Sequence, residues 1–577
     1  MVAYRGDEPQ LDVLAERCGC GVQRPDGHGW SMPRARGQMH RRSVTRGGMA
    51  LLVSNVPWSA EGGDPALAVA LVLEVDVSRV RAATLVKKSL DARHKRANWR
   101  ATIRLEIDGE AALLARKLPG VRAWTERDED RYGGDRPVVR KVWPAARRPI
   151  IVGAGPAGLF AALYLAEQGA KVTLLERGCA VEERVIAVNR NWQRKAPLDP
   201  ENNVLFGEGG AGTFSDGKVY TRRRDGDLGY IFRRLVDFGA DPEILNDSYA
   251  HLGTDRVRAI LPRFRQRLRE LGVDIRFSTR VVDLLVEDGR CRGVKLADGT
   301  VLEGGPVMVA AGHSARDVGE MLVRAGVAAE ARPIAIGARI EHPQSLIDEA
   351  TYGKPRGELP AASYRLAHNP EKGRHAHTFC MCPGGMVVPA TQHPQTVVVN
   401  GMSFAARRAF FANSAVIVEV SPADYGGEGP LAGYDFQARI ERAAYAMSGD
   451  DRAPAQRFVD LAANRTSAEL PRTSYPFGIA PADLREVLPA YVVDGMIAAV
   501  RAFDHKLAGF AGPDAVLIAP ETRTTSPVRF LRDERRESTT VRDLFPIGEG
   551  AGYGGGIVSC ALDGYVAARA IVLTEGT

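Results

Sequence analysis

The sequence predicts an α/β protein built from several domains. Its 577 residues provide enough chain for roughly three or four domains of ordinary size. After Pro149 an apolar strand, a glycine-rich turn, an apolar helix and a second strand follow one another, which is the pattern of a βαβ unit. Near the C-terminus another short apolar strand leads through a glycine-rich turn into a helix. These observations predict an α/β domain assembled from two separate parts of the chain.

Composition and charge exclude several other classes of protein. Apolar residues make up 45% of the chain and charged residues 25%, as in ordinary globular proteins. The formal net charge of +7 permits an anionic partner without requiring one. The seven cysteines are too sparse for a disulfide framework and favour a reducing compartment. No apolar run reaches the roughly 18 residues of a membrane span and no signal peptide is evident, so we expect a cytoplasmic protein.

Three segments are predicted before the βαβ unit. Residues 1–48 are interrupted throughout by Gly, Pro and Arg, so they are predicted to be disordered, or an extension that precedes a true start at Met49. Residues 49–120 are predicted to form a small α+β module of a strand, a helix, a basic segment, a second strand and a short helix. Residues 121–146 are charged and broken by Gly and Pro, which predicts a linker.

The βαβ unit carries a glycine motif with a specific chemical use. The pattern G-x-G-x-x-G is placed directly after a strand and directly before a helix. The first glycine permits the tight turn, the second lets the backbone approach a pyrophosphate, and the third lets the helix pack closely on the sheet. Glu176 ends the second strand, where a carboxylate can accept hydrogen bonds from ribose hydroxyls. We therefore predict a Rossmann-like dinucleotide site contacted by Gly153, Gly155, Pro156, Ala157, Gly158, Glu176 and Arg177.

Two later segments favour FAD as the dinucleotide. Residues 276–312 contain short strands joined by Asp-Gly turns and resemble the meander and Ala-Gly turn of flavoproteins with two dinucleotide-binding domains. The strand that ends at Gly548 and Glu549, with the helix after it, resembles the second half of their flavin site. In those flavoproteins the acidic residue, often Asp, binds the ribityl chain and the helix N-terminus faces the flavin pyrimidine. The resemblance implies cofactor contacts at Val282, Ala311, Gly312, Gly548, Glu549, Gly556 and Ile557.

Longer motifs narrow this resemblance to one family. These motifs are NVLFGEGGAGTFSDGK, GHSARD, FCMCPGGMVVPA, NGMS, ETRTTSPVRF and PIGEGAGYGGGIVS. Through them the chain resembles the poorly characterised FAD-dependent dehydrogenase group of bacterial flavoproteins, in nearly everything from Met49 to the end. The resemblance implies a bound FAD and an oxidoreductase that transfers hydride or electrons, without implying a particular small-molecule substrate. No second Rossmann unit is evident, so NAD(P)H as a donor would enter the region between the two parts of the flavin site or bind transiently against the flavin.

The positions of the motifs predict a discontinuous FAD-binding domain. Residues 147–325 would form its first part and residues 511–577 its second. The region between them, residues 326–510, is predicted to be an inserted α+β substrate or cap domain.

The segment GEGGAG, at residues 207–212, is formally a second G-x-G-x-x-G pattern. The turn-like residues TFSDGK follow it, so an independent NAD(P) domain is not expected. We interpret it as a loop that brings Gly210, Ser215 or Lys218 to the flavin or its pyrophosphate. A plain surface loop is the alternative.

Candidate catalytic residues are few. His313 and Arg316 follow the Ala-Gly turn and could stabilise reduced flavin or orient a substrate carboxylate. Arg523 and Arg529 could bind an anion in a substrate cleft. The alternatives are a structural histidine and ordinary surface arginines.

Cys380 and Cys382 lie close to two histidines, but this spacing does not match the separated ligand pairs of zinc sites, and no metal is predicted. Small apolar residues on a strand are the favoured interpretation of the two cysteines, and thiol redox chemistry is a minor hypothesis. The basic segment beside Trp99 favours a solvated face, with RNA binding as the alternative. A non-catalytic flavin-binding protein also stays open, as does the oligomeric state.

Overall fold

The computed structural model describes residues 49–92, 95–132, 143–144, 147–221, 225–371 and 373–575. They belong to one compact unit, Gly48–Thr577. The prediction for residues 1–48 lies outside the described residues.

The N-terminal module is a four-stranded sheet with short helices. Its elements are β1 (Leu51–Pro57), α1 (Pro65–Leu73), β2 (Val80–Asp91), β3 (Asn98–Ile107), α2 (Glu110–Ala115), β4 (Val121–Ala123) and α3 (Glu126–Tyr132), and the strand order is β2–β3–β1–β4. Asp64 begins α1, because its carboxylate accepts a hydrogen bond from the Ala66 N–H at 2.7 Å. The buried side chains of Leu51, Ile103 and Leu105 form the core of the module.

Two predictions for this region are wrong in detail. The basic segment was predicted as a separate segment before the second strand, but it begins inside β2. The Lys88 ammonium lies 2.6 Å from the Glu243 carboxylate, and the Lys88 backbone N–H donates to the Asn246 carbonyl. Part of the predicted linker is also structured: β4 pairs with β1, and Arg122 makes a bidentate ion pair with the buried Asp128. An edge strand needs a partner that a local pattern does not reveal.

The next part of the chain alternates strands and helices. Its elements are β5 (Ile150–Val152), α4 (Pro156–Glu167), β6 (Thr173–Leu175), α5 (Val181–Trp192), α6 (Leu228–Asp237), α7 (Gly253–Glu270), β7 (Asp274–Arg276), β8 (Val281–Glu287), β9 (Arg290–Leu296), β10 (Val301–Glu303), β11 (Val307–Val309) and α8 (Arg316–Arg324). Strands β8 to β10 form a small antiparallel sheet.

The largest sheet belongs to the following region. Its strands and helices, with a short strand before them, are β12 (Ala329–Ala331), β13 (Ile334–Pro343), α9 (Gln344–Tyr352), β14 (Ala367–His368), β15 (Ala376–Pro389), β16 (Val399–Ser403), β17 (Phe411–Val420), α10 (Ala432–Ser448), β18 (Ala453–Arg457), α11 (Phe458–Ala462), β19 (Ile479–Pro481), α12 (Ala490–Asp504) and β20 (Val516–Glu521). The strand order is β14–β15–β17–β13–β20–β18–β19, and β16 pairs with β15. The inserted domain was predicted to end at residue 510, and this boundary is too early. Strand β20 follows it in the chain, yet its buried residues pair with β13 and β18 of the large sheet.

The C-terminal elements return to the first sheet. They are β21 (Val528–Phe530), β22 (Leu544–Pro546) and α13 (Gly556–Glu575). Strand β22 pairs with β11 in a five-stranded parallel sheet of order β22–β11–β5–β6–β7. The protein is therefore a mixed α/β structure with a Rossmann-like sheet, and both ends of the described chain after Arg147 contribute to it.

Two apolar helices pack together beside this sheet. Residues Ala157 to Ala166 of α4 are buried, as expected for a helix enclosed on all sides. A Cβ added at Gly564 of α13 would lie 2.0 Å from the Ala157 carbonyl oxygen, so the two helices cross in close contact. Within the described residues, Gly556–Thr574 is one stretch long and apolar enough to cross a membrane, but 61% of it is buried in the protein. The structure uses it as a core helix.

Candidate flavin site

The G-x-G-x-x-G turn connects β5 to α4. Gly153 has φ of 106°, and a Cβ there would lie 2.5 Å from the Ala310 carbonyl oxygen. A Cβ at Gly158 would lie 1.9 Å from the Gly153 carbonyl oxygen. Gly155 precedes the first turn of α4 and makes no side-chain cap, so the N–H groups of Ala157 and Gly158 have no acceptor within the helix. These groups form a site for an anionic phosphate.

The Glu176 carboxylate lies directly behind this turn. It is buried and accepts hydrogen bonds from the backbone N–H groups of Ala154 at 2.8 Å, Gly178 at 3.0 Å and Gly207 at 3.0 Å. A carboxylate can accept about four hydrogen bonds, so one position is left for a ribose hydroxyl. Glu176 therefore also fixes the backbone of the surrounding loops, a role that the motif does not predict.

Arg177, the next residue, makes a bridge between segments. Its guanidinium lies 2.6 Å from the Glu201 carboxylate and 3.0 Å from that of Asp317, and it stacks on Phe206 at 4.5 Å. Burial would lower the pKa of Arg177, but the two ion pairs outweigh burial and raise it. The side chain is thus held by protein groups.

The glycine-rich segment at residues 207–218 lies against the N-terminus of α4. Gly209 donates its N–H to the Ala154 carbonyl at 2.8 Å, and a Cβ at Gly210 would lie 3.2 Å from the Gly155 Cα. The fully buried Arg184 fastens the segment by donating to the carbonyls of Gly207, Glu208 and Gly210. No sequence signal identified Arg184, because its acceptors are backbone groups.

The later part of this segment turns toward the large sheet. The Ser215 hydroxyl donates to the Gly212 carbonyl at 2.9 Å and accepts from the Gly217 N–H at 3.0 Å. The Lys218 ammonium lies 2.9 Å from the buried Asp216 carboxylate and donates to the Met381 carbonyl at 2.5 Å. The structure thus places Lys218 between this segment and β15.

The C-terminal glycine turn meets the same region. Gly548 donates its N–H to Asp563 at 2.8 Å, and a Cβ at Gly548 would lie 3.0 Å from the Ala157 Cβ. A Cβ at Gly212 would lie 3.0 Å from the Ile557 side chain in the first turn of α13. Gly556, with φ of 76°, begins that helix. Residues predicted from opposite ends of the chain are therefore neighbours here.

Three further predicted contacts lie on two other segments. Ala311 and Gly312 follow β11, and a Cβ at Gly550 would lie 2.5 Å from the Gly312 carbonyl oxygen. Val282 lies half-buried on β8, in the small antiparallel sheet.

The assembled groups fit an FAD molecule. The N-termini of α4 and α13 could supply backbone N–H groups and partial positive charge for phosphate and for the flavin pyrimidine. Gly155 and Gly210 lie close together and carry no side chains, so a pyrophosphate could approach their backbone closely. Glu176 retains acceptor capacity for a ribose.

The candidate catalytic arginines have structural partners. Arg316 and Arg523 lie 2.8 Å and 2.9 Å from the carboxylate of Glu441, which is buried on α10. Arg529 makes a half-exposed pair with Glu330 at 3.4 Å, as expected for a surface charge. The His313 Nε2 lies 3.0 Å from the Arg523 carbonyl, and its Nδ1 lies 3.6 Å from the Glu549 carboxylate. Of these residues, His313 lies beside a predicted cofactor contact.

Replacing Glu441 by Gln is expected to remove pH-dependent stability. Burial would raise the pKa of Glu441, but the attraction of Arg523 and Arg316 outweighs burial and lowers it to about 2. A lowered folded pKa contributes stability above the unfolded value, and this stability is lost as the pH falls toward 2. We expect Glu441→Gln to lower the free energy of unfolding by about 3 kcal/mol at pH 7 and by nearly nothing near pH 2.

Urea denaturation at a series of pH values measures this difference. The exposed Glu419 offers a matched control, because Glu419→Gln should leave the pH dependence unchanged. Equal pH profiles for Glu441→Gln and the original protein would show that the buried pair does not form.

Comparisons with known proteins agree with these features. Residues 151–181 match the family described as NAD(P)-binding Rossmann-like domain, and residues 215–332 match the FAD binding domain family. Residues 333–524 match the family described as FAD-dependent protein, C-terminal domain-like, which includes β13 to β20.

One relative and several solved structures are similar to the chain. An uncharacterized protein of Clostridium beijerinckii is 42% identical over 431 residues, which cover 74% of this chain and 80% of that protein. CtdE in complex with FAD is 13% identical, with 74% of this chain and 84% of that chain covered and a TM-score of 0.29. A geranylgeranyl bacteriochlorophyll reductase-like protein of Thermoplasma acidophilum is 11% identical, with 74% and 79% covered and a TM-score of 0.33. Likenesses this weak carry no argument about this chain.

The relative covers most of the chain, and the family matches place a Rossmann-like unit, an FAD-binding domain and the family's C-terminal domain in the order that the structure shows. The chain therefore belongs to this poorly characterised family of FAD-dependent oxidoreductases, and its cofactor is FAD.

Proposed function

We propose that the protein transfers hydride or electrons between FAD and a small organic substrate, which binds beside the large sheet. The observation that carries the proposal is the meeting of two helix N-termini, those of α4 and α13, with the glycine-rich segment at residues 207–218. FAD supplies two-electron chemistry at its N5 position. The protein would supply binding, orientation and electrostatics.

Each part of the site has a defined task in this proposal. The N–H groups of Ala157 and Gly158 bind the pyrophosphate, and Glu176 binds the ribose. The N-terminus of α13 stabilises negative charge on the reduced flavin through its partial positive charge. Glu549 accepts hydrogen bonds from the ribityl hydroxyls, and its neighbour His313 holds its orientation at 3.6 Å.

The electron donor is also part of the proposal. A nicotinamide nucleotide would bind transiently against the flavin or in the inserted domain, because the described residues form one parallel Rossmann-like sheet and the proposed FAD site uses it. The test is a visible spectrum of the purified protein, followed by anaerobic titration with NADH, NADPH, hydroxy acids, amines and reduced quinones. Bleaching of a flavin band by one class of donor supports the proposal. A colourless protein that cannot be reconstituted with FAD contradicts it.

Gly155→Val is expected to abolish flavin retention without unfolding the protein. A Cβ at this position meets the Gly210 Cα at 3.9 Å, so the fold has room for it, but the two γ-methyl groups would occupy the pyrophosphate cradle. We expect FAD affinity to fall by at least about a hundredfold, which is about 3 kcal/mol. Fluorescence titration of the flavin-free protein measures the affinity, and circular dichroism reports the fold. Full retention of FAD would place the pyrophosphate elsewhere.

A further inference from the structure

Strand β15 carries two cysteines at a distortion. Cys380 has φ of 47°, in the left-handed region that a non-glycine residue seldom adopts. The pairing of β15 with β17 shifts register between Phe379 and Cys382, and again between Cys382 and Gly385. Cys380 is partly exposed and Cys382 is buried. Two cysteines two residues apart at such a distortion are candidates for a nucleophilic cysteine and its resolving partner.

Two cations lie against this pair. The Lys218 ammonium donates to the carbonyl of Met381, the residue between the cysteines. The Arg339 guanidinium donates to the Cys380 carbonyl at 2.7 Å and lies 3.8 Å from the Cys382 sulfur. Both cations are fixed by buried carboxylates, Asp216 at 2.9 Å from Lys218 and Glu521 at 2.9 Å from Arg339.

The cations and the second thiol stabilise a thiolate at Cys380. A hydrogen bond from Cys382 is the largest cause, and with the two cations it outweighs burial and lowers the pKa of Cys380 to about 5. Burial and the same hydrogen bond raise the pKa of Cys382. Both shifts favour a thiolate at Cys380 and a thiol at Cys382. The charged and titratable groups that face the pair are Lys218, Arg339, Asp216, Glu521 and Tyr364.

Two buried polar atoms in the same cluster have no hydrogen-bond partner. The buried Asn413 accepts from Arg339 at 2.8 Å, but its Nδ2 has no partner. The buried Glu521 pairs with Arg339 through one oxygen, and its Oε1 has none. Native proteins leave few such atoms, and redox or catalytic use is one of the reasons they persist.

The cluster is connected to the flavin site by one short segment. Gly210 lies against Gly155 at the N-terminus of α4, and Lys218 lies against Met381. The nine residues from Gly210 to Lys218 begin with a 3₁₀ turn, Gly210–Phe214. The segment that closes the pyrophosphate cradle therefore also supplies the cation at the cysteine pair.

We propose that Cys380 and Cys382 are a redox-active pair that exchanges two electrons with the flavin, an inference that rests on the proposed function. In the oxidation, one S–S bond forms between the Cys380 thiolate and the Cys382 thiol, and the Cys382 S–H bond breaks. The pair gives up two electrons and one proton, and oxidised flavin, the oxidant, takes up the two electrons and the proton. The reverse step returns one thiolate and one thiol.

The first experiment measures thiol reactivity in the prereduced full-length protein, with and without FAD. Iodoacetamide labelling followed by peptide mass spectrometry should modify Cys380 at pH 6 at least about tenfold faster than Cys179, a partly exposed cysteine whose pKa is raised by burial. Lys218→Met should slow the labelling of Cys380 at pH 5 by about fivefold, since a rise of one unit from a pKa of about 5 lowers the thiolate fraction at that pH from about one half to about one tenth. Equal rates at Cys380 and Cys179 would overturn the proposal.

The second experiment counts electrons in the oxidised holoprotein. Anaerobic dithionite titration should consume four electrons per FAD in the original protein and two in Cys380→Ser or Cys382→Ala, because only the original protein has a disulfide to reduce. Alkylation and mass measurement should then show two additional labelled thiols, both in the peptide that contains residues 380 and 382. An uptake of two electrons in all three proteins, with both thiols free throughout, would overturn the proposed redox role of the cysteine pair.

The outcomes separate this inference from the proposed function. If the protein binds FAD and an organic donor bleaches its flavin band, but it takes up two electrons in total, the proposed function is supported and the redox role of the cysteine pair is overturned. A protein that cannot bind FAD overturns both proposals, even where the labelling experiment shows a reactive Cys380. Variants that fail to fold are replaced by Lys218→Met, which leaves both cysteines in place and should raise the pH at which Cys380 becomes reactive.

Discussion

Gly158→Ala is expected to lower the free energy of unfolding by about 3 kcal/mol or more, the largest effect of a single methyl group in this fold. The new Cβ would lie 1.9 Å from the Gly153 carbonyl oxygen and 3.3 Å from the Ile151 side chain. Neither neighbour can swing aside, because one is backbone and the other lies in the core of the sheet. Helix α4 would have to move away from β5 and from α13. Urea denaturation of the flavin-free protein, followed by circular dichroism, measures the loss.

Gly155→Ala is the matched control on the same turn. Its φ is −77° and its Cβ would have the Gly210 Cα at 3.9 Å as its neighbour, so we expect a change of less than about 1 kcal/mol. If Gly158→Ala were as stable as this control, the close packing of α4 on β5 would be incorrect.

Asp563→Ala is expected to destabilise the protein by about 3–5 kcal/mol and to weaken flavin retention. Its carboxylate is fully buried in α13 and makes a bidentate ion pair with Arg532 at 2.6 Å and 2.9 Å. The same carboxylate accepts the Gly548 N–H at 2.8 Å, so it also fixes the turn that carries Glu549. Removing it leaves a buried guanidinium without its counter-charge.

The control for this prediction is a pair on the surface. Glu330→Ala removes the partner of Arg529, whose side chain is 38% exposed, and should change stability by less than about 0.5 kcal/mol. Asp563→Asn separates the two roles, since the amide oxygen can still accept from Gly548 while the charge is gone. Thermal unfolding and the ratio of bound FAD to protein report the two effects. A normal melting temperature in Asp563→Ala would contradict the buried pair.

Local features made part of this structure predictable. The glycine spacing and the apolar run after Pro149 predicted β5, α4 and β6, because a tight turn and a buried helix each require particular residues in sequence order. Asp563 had a signal that could have been used: it is an acid among mostly apolar residues of its helix, and such a charge needs a buried partner. The identity of that partner, Arg532, was not predictable from the pattern.

Other features depend on partners that are distant in sequence. Arg316 and Arg523 were predicted to bind an anion because arginine commonly does so. In the structure both arginines pair with Glu441, which reaches them only after α10 packs on the large sheet. Strand β20 was assigned to the second part of the FAD-binding domain, because its pairing with β13 and β18 depends on residues distant in the sequence. The bend at Cys380 is equally invisible in the sequence, since a cysteine has no intrinsic preference for the left-handed region.

The contact between Ala157 and Gly564 has a consequence for how the chain is made on the ribosome. About four hundred residues separate the two helices, and at about 5–20 residues per second translation needs roughly 20–80 s to cover that distance. During that interval α4 lacks the neighbour that buries one side of it, and β11 lacks the strand β22 that completes the sheet edge. Nascent chains of this protein should therefore depend on chaperones until the last helix emerges, and a premature stop before Gly548 should give an aggregating product.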